Sequence, residues 1–78
     1  MIKKYIFDDF PGSTITIPNG DTLLVAEQNG LLTVWIDDKE DGEQVLTILP
    51  TGVSVPSYMQ HVGSALVGIF VWHVYRFI

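Results

Sequence analysis

No cysteine occurs in the chain, so disulfides and thiolate metal sites are excluded. Basic residues are scarce. Lys3, Lys4, Lys39 and Arg76 stand against nine Asp and Glu, for a formal charge of −5. Binding to a phosphate backbone rests on several Lys or Arg contacts, so no nucleic-acid polymer is expected as a partner. From Gln44 to Tyr75 there is no Asp, Glu, Lys or Arg at all. The one candidate membrane span, residues 62–75, is shorter than the roughly 20 apolar residues a helix needs to cross, and it holds His73 with Arg76 behind it. Lys3 and Lys4 run into Asp8 and Asp9 rather than an apolar leader. Neither membrane insertion nor a signal peptide is expected, and the expected location is the cytoplasm. Capped segments of helical period, internal repeats and a glycine-rich phosphate loop are absent as well.

What is present is greasy strand. The chain has 78 residues, which predicts one domain over residues 1–78. Its apolar fraction is 47%, while the charged fraction of 17% falls below the usual quarter or so. A domain of this size buries a modest share of its surface and usually gains support from disulfides, a metal or partner subunits. With cysteine missing and apolar surface in surplus, a homo-oligomer is expected.

The segments read as strands. Residues 68–78 are almost wholly β-branched or aromatic. Alternation puts Phe70, Trp72, Val74 and Arg76 on one face, and Ile69, Val71, His73, Tyr75 and Phe77 on the other. Both faces are mostly apolar, so cover on both sides is expected. Residues 2–8 predict a first strand, residues 9–12 a turn, and residues 13–18 a half-buried strand with Ile15 and Ile17 inward. Asn19-Gly20-Asp21 reads as another turn. Residues 22–28 and 31–37 flank Asn29-Gly30, the strongest short-range hairpin signal. A two-residue loop pairs Gln28 with Leu31, Val25 with Val34 and Leu23 with Ile36. Trp35 then falls beside small Ala26 and Thr33, where it either forms a shelf for a ligand or subunit or packs on a strand of its own domain. Residues 37–43 read as a solvated hairpin tip. Lys39 and Ile48 stand where a calcium loop needs oxygen ligands. Residues 44–49 are a fifth strand, residues 53–57 an extended connection, and residues 58–65 a sixth strand leading to the last. The fold expected is all-β: a small antiparallel barrel or sandwich of six to seven strands, oligomeric.

Groups that carry chemistry are few. His61 and His73 are the only imidazoles, and no carboxylate pattern completes a metal site with them. Ser64 follows Gly63 without the second glycine of a nucleophile elbow. The paired carboxylates sit in exposed turns, where nothing separates their pKa values for acid–base work. No enzyme activity, cofactor or metal is expected. Aromatic residues with a polar edge remain, and such side chains stack on nucleobases and anchor interfaces. Trp35, Tyr58, His61, Trp72 and Tyr75 form the candidate ligand-binding set, with Arg76 to hold one phosphate. The alternative is that Trp72 and Tyr75 are core and Arg76 pairs with a carboxylate.

The order of features is itself informative. Thr-Ile-Pro-Asn-Gly-Asp, Leu-Val-Ala-Glu-Gln-Asn-Gly, Val-Trp-Ile, Pro-Thr-Gly, His-Val-Gly-Ser and Val-Trp-His-Val-Tyr follow one another along the chain. This resembles a widespread family of very short phage proteins of unknown function, which carry a similar Gln-Asn-Gly hairpin and a terminal Val-Trp-His-Val-aromatic strand. The chain departs from it in continuing to Arg76-Phe77-Ile78, where such proteins tend to stop on an acidic residue. Small acidic phage proteins of this kind are similar to those that interfere with host defence, among them oligomeric anti-CBASS sponges. The resemblance implies a protein of the host cytoplasm that sequesters a small nucleotide, such as a cyclic dinucleotide, without cleaving it. The alternatives are an acidic module that binds and inhibits a host protein, and a phage structural or assembly accessory protein.

Overall fold

Strand β3 (Leu31–Pro50), not the C-terminal strand, is the axis of the molecule. A computed structural model describes residues 1–8 and 14–78, apart from the Glu40 side chain. Around β3 lie β1 (Ile2–Ile6), β2 (Thr14–Gln28), β4 (Met59–Val67) and β5 (Phe70–Phe77). All pairings are antiparallel, in the order β1-β3-β5-β4, with β2 along the opposite side of β3. The single sheet curls into a half-barrel. The turn predicted at residues 9–12 lies outside the described residues. No helix among the described residues is long and apolar enough to cross a membrane.

The extended segments expected from the sequence are extended, but two pairs of them run together. Pro18 pairs with Glu43 and Gly20 with Asp38, so Lys39 to Gly42 stand opposite the single residue Asn19. The charged stretch is therefore a wide bulge in a strand that keeps its direction, and not the tip of a hairpin. The predicted turn at Asn19-Gly20-Asp21 is likewise part of β2. Two side chains hold the bulge. Asn19 Nδ2 donates to the Asp41 carbonyl at 3.3 Å. Gln44, 6% exposed, donates to the carbonyls of Pro18 and Gly20 at 3.1 and 3.4 Å. A buried amide with such partners avoids the cost of an unsatisfied polar group.

The Asn29-Gly30 hairpin forms as its residues require, with φ of 54° and 80°. Gln28 faces Leu31 and Val25 faces Val34, as expected. Leu23 does not face Ile36, because a bulge at Leu23 gives that place to Thr22. An extra residue in one strand leaves itself unpaired. Leu23 is consequently exposed rather than part of the core.

Inside the curl, Leu32, Val34, Ile36, Leu46, Ile48 and Val74 pack with Phe7, Ile17 and Val67. β5 was expected to need cover on both faces. Only its Val74 is fully buried, and the face bearing Val71, His73 and Tyr75 is open to varying degrees.

The carboxylates gather at the start of the sheet. The Met1 ammonium lies 3.1 Å from both Asp37 and Asp38, Lys3 lies 3.0 Å from Asp38, and Lys39 lies 3.3 Å from Asp21. The hydrogen bond from the Met1 ammonium holds Asp37 below the usual carboxylate range, and that from Lys3 does the same for Asp38. Their stabilisation is complete above the ordinary carboxylate pKa of about 4 and is lost as pH falls through the lower folded values. The same pairs raise the Lys3 and Lys39 ammoniums, whose share is present at neutral pH and lost only as pH rises through their raised values. Asp38→Asn is expected to flatten the fall in Tm below about pH 4. The change should be small, since exposed pairs contribute little. Thermal melts of both proteins against pH check it.

Candidate functional site

The six aromatic and cationic candidates do not form one constellation. Trp35 sits half-buried on the outer face of β3, where Lys4 and Leu24 flank it across the strands. Trp72 and Arg76 share the inner face of β5 with Val74. Trp72 packs against the core. Arg76 donates to Gln60 Oε1 rather than meeting a carboxylate. Tyr58 stacks on Phe77 with centroids 6.1 Å apart. His61 and Tyr75 do belong together, on the outer face.

That outer face assembles a set that the sequence did not mark as a unit. Ser64 pairs with His73 across the β4–β5 hairpin, and Leu49 pairs with His73 from the other side. His61 is three residues before Ser64, so strict alternation would send it to the opposite face. A register shift at Val62 brings it back, and His61 pairs with Tyr75. The result is a continuous chain of contacts. His61 Nε2 lies 2.9 Å from Ser64 Oγ, which lies 2.6 Å from His73 Nδ1. His73 Nε2 lies 2.8 Å from Thr51 Oγ1, and that hydroxyl donates to the Val71 carbonyl at 3.3 Å. Tyr75 meets His61 edge-on at 5.3 Å.

A family model described as a domain of unknown function (DUF7352) matches residues 1–77. The chain belongs to that family. No curated protein and no solved structure matches it. In this DUF7352 chain two recesses flank the turn after β3. One, of about 140 Å³, is lined by Leu49, Val53, Val55, His73 and Tyr75 among others. The other, of about 260 Å³, is lined by Pro50, Thr51, Phe70, Val71 and Trp72. The DUF7352 face thus offers a ring, two imidazoles and two hydroxyls beside a small cavity, with no carboxylate on the residues of the set.

The order Ser64, His73, Thr51 has the outline of nucleophile, base and orienting group. Ser64 nevertheless lies exposed within strand β4, not at a helix N-terminus of the kind that aims backbone N–H groups at an oxyanion. Among the described residues no group of three or more His, Cys, Asp or Glu is placed to hold a metal ion.

Proposed function

We propose that this protein binds a small nucleotide on the outer face of β3, β5 and β4 and sequesters it without cleaving it. The uncharged face of Tyr75, His61, His73, Ser64 and Thr51, in a chain of charge −5, carries the reading. An anion meets no carboxylate on these side chains, and a flat ring finds Tyr75 to pack on. The 140 Å³ cavity suits one base rather than a whole ligand, since enclosing pockets usually measure about 300–1,000 Å³. A cyclic dinucleotide would need the neighbouring recess at Trp72 or a second copy of the chain to complete its enclosure. The resemblance to short phage proteins supports a cyclic nucleotide immune signal as the ligand and an anti-CBASS sponge in the host cytoplasm as the role. Arg76 lies on the inner face, and Trp35 lies on the stretch of β3 that pairs with β1 and β2 rather than with β5, so neither has a part in it.

Thermal shift against a panel of cyclic mono- and dinucleotides tests the proposal. A ligand at about 100 times its Kd adds about 2.7 kcal/mol, a rise in Tm of roughly 10 °C or more for a domain this small. Tyr75→Ala should abolish the rise and Trp35→Ala should keep it. A panel without any shift overturns the proposal.

A second reading, a module that binds a host protein or another copy, has its own observation. Ile2, Ile6 and Leu24 are exposed on the outer face around Trp35. Exposed apolar side chains grouped in this way, here with Lys4 among them, mark interaction surfaces. Light scattering and pull-down from host lysate distinguish a self-contact from a host partner.

A further inference from the structure

We infer that the ligand meets this face with a hydrogen-bond donor, the exocyclic amino group of a nucleobase, and that Nδ1 of His61 accepts it. The nucleotide class rests on the reading above. The polarity rests on the hydrogen-bond chain alone.

With both imidazoles neutral, the chain of contacts has only one direction in which every contact is a hydrogen bond. Thr51 has a single hydroxyl proton, and the Val71 carbonyl can only accept it. Thr51 Oγ1 must then accept from His73 Nε2–H. A neutral imidazole carries one N–H, so His73 Nδ1 is an acceptor and takes the Ser64 hydroxyl proton. Ser64 Oγ in turn accepts from His61 Nε2–H. The reverse direction forfeits the bond to Val71. In the favoured direction His61 is the Nε2–H tautomer, and its Nδ1 is a lone pair with no protein partner among the described residues.

This direction decides which ligand group fits. A phosphate needs converging N–H or O–H donors. Here the protons of both imidazoles and both hydroxyls are committed within the chain. The Tyr75 hydroxyl is the one donor of the set without a partner among the described residues, and it can also accept. A base amino group supplies the donor that His61 Nδ1 lacks, while its ring packs beside Tyr75 at the cavity. The phosphate is then left toward solvent or a second copy.

Two measurements test this. The first uses adenosine 3′,5′-cyclic monophosphate and its purine riboside counterpart, which differ only in that the second lacks the exocyclic amino group. One hydrogen bond of ordinary strength predicts binding about tenfold tighter for the adenine ligand. Ser64→Ala, which frees His61 from its tautomer, should erase that preference. Equal affinity in the unmodified protein overturns the inference and leaves the nucleotide reading standing. Failure of both ligands to bind, with no other nucleotide in the panel shifting Tm, overturns both. The second is ¹H–¹⁵N NMR of the free protein at about pH 8, above the ordinary titration range of imidazole. Both histidines should show the Nε2–H pattern. An Nδ1–H tautomer at His61 overturns the inference whatever binds.

Discussion

Replacing Gly20 by alanine is expected to cost about 3 kcal/mol, near the upper end for overpacking, and to lower Tm by more than roughly 10 °C. A Cβ at this position would lie 2.3 Å from the Asp37 carbonyl oxygen and 2.8 Å from Asp38 Cα. Both are backbone atoms in the central strand, so neither can turn aside as a side chain would. The close approach exists because β2 rejoins β3 at Gly20, immediately after the wide bulge opposite Asn19. Glycine in a strand often marks such a place. Gly52→Ala is the control. Gly52 has a positive φ of 102° with open space around its missing Cβ, so only local strain of about 1–2 kcal/mol is expected there. Urea and thermal unfolding of the two variants check the contrast. If Gly20→Ala unfolds like the unsubstituted protein, β2 does not pass the bulge in this register.

The sequence carried the strands well and their continuity poorly. Alternation at Ile15 and Ile17, the Asn-Gly loop and the β-branched C-terminus each report on a local preference, and each element stands where expected. Asn19-Gly20-Asp21 and residues 37–43 have the composition of turns, yet both lie in the sheet. Turn chemistry describes what a backbone permits, whereas pairing across the bulge decides its path. Gln44 reads as an ordinary polar strand residue, and only the structure shows it capping two carbonyls of β2.

Part of the candidate site was legible too. Gly68-Ile69 is a two-residue loop between Val67 and Phe70, with Gly68 at φ 64°. Taken as a hairpin, that spacing alone puts Ser64 opposite His73. His61 was harder. Its place on the same face depends on the bulge at Val62, and a one-residue irregularity leaves little trace in hydrophobic alternation. Trp72 and Arg76 were grouped with Tyr75 by residue type, although their even numbering already placed them on the other side of β5.

Gly63 connects that local irregularity to the curl of the whole sheet. A Cβ there would lie 2.6 Å from Val25 Cγ2 and 3.0 Å from Val25 Cβ, so β4 rests directly on β2 across the interior. Gly63→Ala is expected to cost about 2 kcal/mol, because a β-branched neighbour has little rotamer freedom with which to yield. The same displacement should pull His61 and Ser64 out of register with His73 and weaken any ligand response. Val25→Ala removes the Cγ2 methyl that makes the closest contact and leaves only Cβ at 3.0 Å, at its own cost of about 1–2 kcal/mol. The double variant should therefore be more stable than the two single costs allow, by about 1 kcal/mol or more, as residues in direct contact often are. It should also recover the Nε2–H pattern at His61. Strict additivity in a double-mutant cycle would mean that β2 and β4 do not touch, that the sheet is more open than the half-barrel, and that the histidine face owes its geometry to the β4–β5 hairpin alone.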